Sequence, residues 1–325
     1  SEDSSEWEEK LMAEMNAAVN KKLTPEMFLP IPAEDKRAEF MARPKITYWS
    51  DAWRRFRQNK VALVAGIILI LLICMVVFGP LLSPYSFDKI DRHNRHQPPT
   101  AEHIFGTDEL GRDIFTRICV GGRVSIAIGI CGALISAIVG TLYGAISAFA
   151  GGAVDNIMMR IVEILNSVPY LLVIILLQLY LRERNLGTML LALTLTGWLG
   201  SARMVRGQLL ALKNQDFVLA AKTLGVPPMS IIMGHLIPNT LNIIIIAISF
   251  DIPGYIFAEA FLSFIGIGIE SPMTSWGAMT SIAQQNFLFY PTEMLFPSLM
   301  IAITMLSFVL LGDGLRDALD PRLRE

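Results

Sequence analysis

The chain predicts an all-α polytopic membrane protein with six transmembrane helices, five being the main alternative because the fourth is thin and ends on Arg203, and two observations carry that prediction. Of its 325 residues, 53% are hydrophobic and only 17% are charged, against about 25% charged in ordinary soluble domains. The charges are also confined. No Asp, Glu, Lys or Arg occurs over 61–87, 124–154 or 223–250, and shorter charge-free runs cover 164–181, 185–202 and 294–312. An apolar run of about 18 residues or more reads as a crossing, because a helix needs about 20 residues to traverse roughly 30 Å of hydrocarbon. The net charge of −2, with no basic stripe, excludes a nucleic-acid reading.

Taken in order, residues 1–60 form a polar cytoplasmic tail ending in an interfacial helix. A short helix is expected over Glu6–Val19, and Pro25, Pro30, Pro32 and Pro44 punctuate the rest. Trp49 and Trp53 lie four apart among Arg54, Arg55, Arg57 and Lys60, the pattern of an anchor at the inner membrane surface. Residues 61–122 hold the first span, at about 61–82, and a polar extracytoplasmic loop. The core, 123–313, holds spans at about 124–150, 157–181, 187–204, 240–264 and 294–312, with a polar segment at 205–239 between the fourth and fifth. Residues 314–325 form a short cytoplasmic tail. With both termini inside, Lys and Arg divide 19 inside to 8 outside, as the positive-inside rule requires.

The second span carries a small residue at every fourth position: Gly132, Ser136, Gly140, Gly144, Ala148 and Gly152. Lipid gives helices no hydrophobic reason to associate, so close backbone approach over small residues supplies the packing. The three cysteines, Cys74, Cys119 and Cys131, read as small buried hydrophobes rather than a disulfide framework. His93, His96 and His103 share one loop whose spacing fits no familiar metal site, and they read as solvated. No Gly-Lys dipeptide occurs, so a phosphate-binding loop of the GxxxxGK[ST] type is absent. Neither a catalytic constellation nor a bound cofactor is expected of this chain.

The segment Lys213–Asn239 is the most informative. Asp216 suits a helix N-cap, Gly225 suits the left-handed residue that ends a helix, and Pro227-Pro228 suit the start of a second one. Pro238 is expected to close it before the fifth span. The result is a helix–turn–helix elbow on the cytoplasmic side, with Ala220-Ala221 as a small-residue knob that another protein can approach. Within the fifth span, Asp251 is a carboxylate near mid-membrane, and such groups normally face a bundle interior or an aqueous cavity. Pro253-Gly254 is expected to loosen the helix beside it. Glu259, eight residues on, is expected to line the same broad side of a conduit.

The pattern Ala220-Ala221-x3-Gly225-x9-His235-Leu236-Ile237-Pro238 resembles the EAA motif of ABC-importer permease subunits. Three further strings are similar to the peptide/nickel permease family: His103-Ile-Phe-Gly-Thr-Asp-Glu-Leu-Gly-Arg-Asp113, Phe261–Ile269 with Ser275-Trp-Gly277, and Leu311–Arg322. The long amino tail and first loop resemble its C-type subunit in oligopeptide and dipeptide importers. Leu219 stands where the motif usually opens with an acid.

The resemblance implies a type I ABC importer permease fold and a subunit that is not itself an enzyme. It implies pairing with a homologous second permease, two ATP-binding subunits that use ATP and Mg, and an extracytoplasmic solute-binding protein. Oligopeptides or dipeptides are the implied cargo. Nickel, glutathione or another small solute is the alternative, and a secondary transporter a more distant one.

Overall fold

The computed structural model describes residues 48–320. The chain divides into two units, 1–50 and 51–325. All but the last three residues of the first unit lie outside the described residues, as do the helix expected over Glu6–Val19 and the last five residues of the tail. Every regular element described is helical: α1 (Tyr48–Gln58), α2 (Lys60–Leu82), α3 (Ile114–Ala150), α4 (Gly152–Ser167), α5 (Tyr170–Leu181), α6 (Leu186–Leu212), α7 (Asp216–Thr223), α8 (Pro228–Ile231), α9 (Ile237–Phe264), α10 (Trp276–Gln284) and α11 (Pro291–Leu319).

Four segments are long and apolar enough to cross a membrane: Lys60–Leu82, Ile114–Ala150, Pro228–Phe264 and Pro291–Leu319. A fifth arises if α4 and α5, bent by 79° at their junction, count as one broken crossing. The straight third span expected over 157–181 is therefore not what forms. Val168 is extended at φ −82° and ψ 128°, because a residue before proline is driven out of the helical region, and here Pro169 follows. The 27 residues of α6 are long enough to span, about 40 Å at 1.5 Å per residue. Its threonines, Ser201, Arg203 and Arg206 keep it below the apolar requirement, so composition supports four or five crossings where six are expected.

The sequence places the start of the second span near 124, but α3 begins ten residues earlier. The cause is Asp113, whose Oδ2 accepts from the Thr116 amide at 2.8 Å and from its hydroxyl at 2.7 Å. This is an N-cap that ends one element and starts the next. Its other oxygen meets His103 Nδ1 at 2.9 Å. Asp108 holds the adjoining turn, accepting from the amides of Leu110 and Arg112 and from Arg112 Nε at 2.7 Å. The string 103–113 is thus a self-bonded knot on the head of α3.

The knot also corrects the reading of the histidines. His103 is buried, and His96 stacks on Tyr290 and reaches Glu293 Oε1 at 2.6 Å. Of these three loop histidines, His93 alone is exposed. Among the described residues no group of three or more ligands could hold a metal. Of the cysteines, Cys119 is buried, while Cys74 and Cys131 are exposed on their helices.

Among the described residues the most extensive packing joins α3 to α6. Five rungs of the small-residue ladder, Gly132, Ser136, Gly140, Gly144 and Ala148, are buried along α3, while Gly152 belongs to the exposed start of α4. Gly132 lies under the Tyr255 ring of α9, and Gly140 and Gly144 lie against the backbone of α6 at Trp198–Arg206. A second cluster unites α2, α3, α10 and α11 around Trp276, which is fully buried and donates from Nε1 to the Ile118 carbonyl at 2.9 Å.

Candidate functional site

The elbow forms at 213–236. α7 runs from Asp216 to Thr223, and Gln215 rather than Asp216 occupies the cap position, with no side-chain capping bond. Its end matches the expectation. Gly225 sits at φ +74°, its amide donates to Lys222 O at 3.0 Å, and the Val226 amide donates to Ala221 O at 3.1 Å. These are the two bonds of a Schellman motif. Pro228 then opens α8. Pro238 closes nothing. The chain passes through one π-helical turn, Ile232–Leu236, straight into α9, where Pro238 sits in the first turn. The proline follows directly on the π-helical turn, where the Ile237 amide donates to Ile232 O and the hydrogen-bond ladder is already shifted, the kind of place where a helix tolerates a missing donor.

The two alanines of the expected knob face opposite ways. Ala221 is buried, with Val218, in a cluster formed by Ala145 and Ala148 of α3, Val205 and Leu209 of α6, and Ile231, Ile232 and Leu236. Ala220 is exposed. It shares the outer surface with Leu219 and Phe217, about half and two-fifths exposed, and with Leu224, Met229 and Met233 beyond. Where the family pattern carries an acid, Leu219 therefore extends an apolar surface. Met229 and Met233 fall within the apolar segment Pro228–Phe264, whereas Phe217, Leu219 and Leu224 precede it, and uncovered apolar side chains there mark a place for a protein partner.

Polar bonds fix the inner side of the elbow to the core. Lys213 Nζ donates to the Ala148 carbonyl at 2.8 Å, and the Lys222 ammonium lies 5.3 Å from the centre of the Phe149 ring. Beside them, Arg206 of α6 grips Asp155 of α4 with two parallel bonds, Nε to Oδ1 at 2.6 Å and Nη2 to Oδ2 at 2.5 Å. Ser147 of α3 donates to the same carboxylate at 2.5 Å. This bidentate pair joins three helices. No local pattern reveals it, since its members stand 51 residues apart.

The two membrane carboxylates also part company. Glu259 is fully buried. It accepts from Ser125 of α3 at 2.9 Å and from Ser263 at 2.8 Å, and Ser125 Oγ in turn accepts from the Trp276 amide at the head of α10. The Glu259 carboxyl group is thus occupied in tying α9 to α3 and, through Ser125, to the head of α10, and its side chain is buried rather than facing a cleft. Asp251 is partly exposed in a cleft of about 210 Å³ walled by Tyr170, Leu193, Gly197, Phe250, Gly254 and Tyr255. The helix runs unbroken through Pro253-Gly254, so the expected loosening does not occur.

Comparison with known proteins decides the family. Residues 140–325 match the family described as binding-protein-dependent transport system inner membrane component, and residues 47–99 match the N-terminal TM domain of oligopeptide transport permease C. The chain belongs to this permease family. It is 46% identical to the dipeptide transport system permease protein DppC of Bacillus subtilis over 92% of this chain and 93% of that one. It is 46% identical to the oligopeptide transport system permease protein OppC of the same organism, over 92% and 98%. It is 43% identical to OppC of Haemophilus influenzae, over 89% and 93%.

A solved structure of the MetNI methionine ABC transporter, described as inward facing, superposes with a TM-score of 0.51 at 19% identity. It covers 63% of this chain and 96% of that one, which establishes the type I ABC importer permease fold and nothing finer. The permease is therefore an integral, multi-pass membrane component of a transport system.

Proposed function

We propose that this permease is the transmembrane subunit of an ATP-driven importer of oligopeptides or dipeptides. The observation that carries the reading is the 46% identity to peptide permeases over nine-tenths of the chain. It would assemble with a homologous second permease, two ATP-binding subunits and an extracytoplasmic solute-binding protein. ATP and Mg would be held by the ATP-binding subunits, since this chain carries no GxxxxGK[ST] loop.

In this reading the elbow is the coupling element. Leu219, Ala220 and Leu224 form the surface on which an ATP-binding subunit seats. The buried Val218 and Ala221 transmit its displacement to α3 and α6, and so to alternating access around a mid-membrane cavity. Both termini lie in the cytoplasm, with α6 as a sixth crossing whose weaker hydropathy is offset by its packing against α3.

Uptake of a labelled tripeptide by proteoliposomes holding the whole complex tests the proposal. ATP-dependent uptake that is lost when only the ATP-binding subunits are inactivated is expected. Uptake driven instead by an ion gradient, with those subunits inactive, would refute it.

A further inference from the structure

The stretch from Thr223 to Leu315 contains five carboxylates and no lysine or arginine. Glu259 is satisfied by serines and Glu293 by His96. Arg184 pairs with Glu270 at 3.5 Å, and Asp313 is exposed near the end of α11. Asp251 differs. It stands 14 residues from one end of α9 and 13 from the other, and no hydrogen bond or ion pair holds it among the described residues. Its side chain opens into the cleft between α5, α6 and α9. The same cleft presents two tyrosines. Tyr255 is fixed by a hydroxyl–hydroxyl bond to Ser136 of α3, and Tyr170 is carried there by the bend at Val168-Pro169.

A carboxylate at this depth, without a cation of its own, is costly unless something positive visits it. Aromatic faces beside it favour a cation as well, through the ring quadrupole. We propose that Asp251 is the counter-charge for a protonated amine of the cargo as it passes mid-membrane, with Tyr170 and Tyr255 walling that site. This rests on the cargo being a peptide, which carries such an amine at its amino terminus or on a lysine side chain. Pairing there lowers the cost of taking an ammonium out of water, and so selects for peptides that carry one.

The test uses the complete transporter in proteoliposomes, with the solute-binding protein saturated by each peptide in turn. The probes are a trialanine with a free amino terminus, its N-acetylated form, and an N-acetylated peptide containing one lysine. Asp251→Asn should slow the free-amine peptide about tenfold, the worth of one charge-assisted bond. It should leave the acetylated trialanine within about twofold and ATP hydrolysis intact, while Asp251→Glu retains the preference. The lysine peptide, whose amine lies on its side chain, should be slowed as the free-amine trialanine is. Equal slowing of all three peptides, or none, overturns the proposal.

A second readout does not depend on which peptides the solute-binding protein accepts. In a background lacking the native cysteines, the thiol introduced by Asp251→Cys should react with a cationic methanethiosulfonate and be protected by saturating free-amine peptide. No labelling in the assembled complex, or labelling indifferent to peptide, overturns it equally. A wild-type complex that carries no peptide refutes the cargo reading itself, and is distinguished by that result.

Discussion

Replacing Gly144 with alanine should separate α3 from α6, and the size of the effect follows from the geometry. A Cβ built at Gly144 would stand 2.3 Å from the Ala202 carbonyl oxygen and 3.0 Å from the Arg206 amide nitrogen, where ordinary contact begins at 3.4 Å. The obstacles are backbone atoms, so no rotamer change relieves them, and α6 must retreat by about 1 Å in an interior packed like a crystal. Overpacking of this kind costs about 1–3 kcal/mol, or about 5- to 150-fold in an equilibrium constant. Leu142, two residues earlier on α3, is about two-fifths exposed, and Leu142→Ala should cost about 0.5 kcal/mol or less. Heating the detergent-solubilised complex and measuring the fraction still assembled by size exclusion compares the two directly. Equal loss of assembly would refute close approach as the source of the α3–α6 packing and reduce the ladder to composition.

Other outcomes follow from the elbow and its anchors. Gly225→Val places a β-branched residue at φ +74°, a strain of about 1–3 kcal/mol; uptake should fall several-fold with membrane insertion unchanged, as read by transport normalised to assembled complex. Ala220→Glu should leave the permease folded but weaken capture of the ATP-binding subunits in a pull-down. Ala221→Trp, which must enlarge a buried cluster, should instead lower the thermal stability of the permease itself. Asp155→Asn keeps the shape but removes the charge that Arg206 grips. A loss of about 1–3 kcal/mol is expected for this partly buried, charge-assisted pair, seen as earlier thermal unfolding in detergent.

Much of this architecture is legible because it rests on local signals. Charge-free runs locate the apolar helices, and the glycine at 225 marks the end of α7, because each depends on residues within a few turns. The failures have physical causes too. Pro169 breaks the third span because its ring acts on Val168, a single-residue effect that an apolar count smooths over. Asp113 moves the start of α3 outward because one capping carboxylate outweighs the polarity of the Arg117–Arg123 stretch. Glu259 reads as a conduit residue from its spacing to Asp251. It is buried because Ser125, 134 residues away, supplies a donor that no helical period reveals. The Asp155–Arg206 grip is hidden for the same reason.

The packing also dictates how a push on the elbow would travel. Val218 and Ala221 interlock with Ala145 and Ala148 of α3 and with Val205 and Leu209 of α6, and Lys213 bonds the last turn of α3. Along the next turns, α3 and α6 touch backbone to backbone over Gly140 and Gly144, with no long side chains between them to bend. α3 and α6 therefore form one stiff body, and the elbow is attached to it through the buried cluster around Val218 and Ala221 and through the Lys213 bond. α5 packs far more lightly on α6 than α3 does, and its chain turns by 79° at Pro169. Relative motion thus concentrates where α5 meets α6 and α9. That junction is the cleft holding Tyr170, Tyr255 and Asp251, so on the proposed reading a stroke delivered to the elbow would reshape the surroundings of the one mid-membrane carboxylate left without a partner of its own among the described residues.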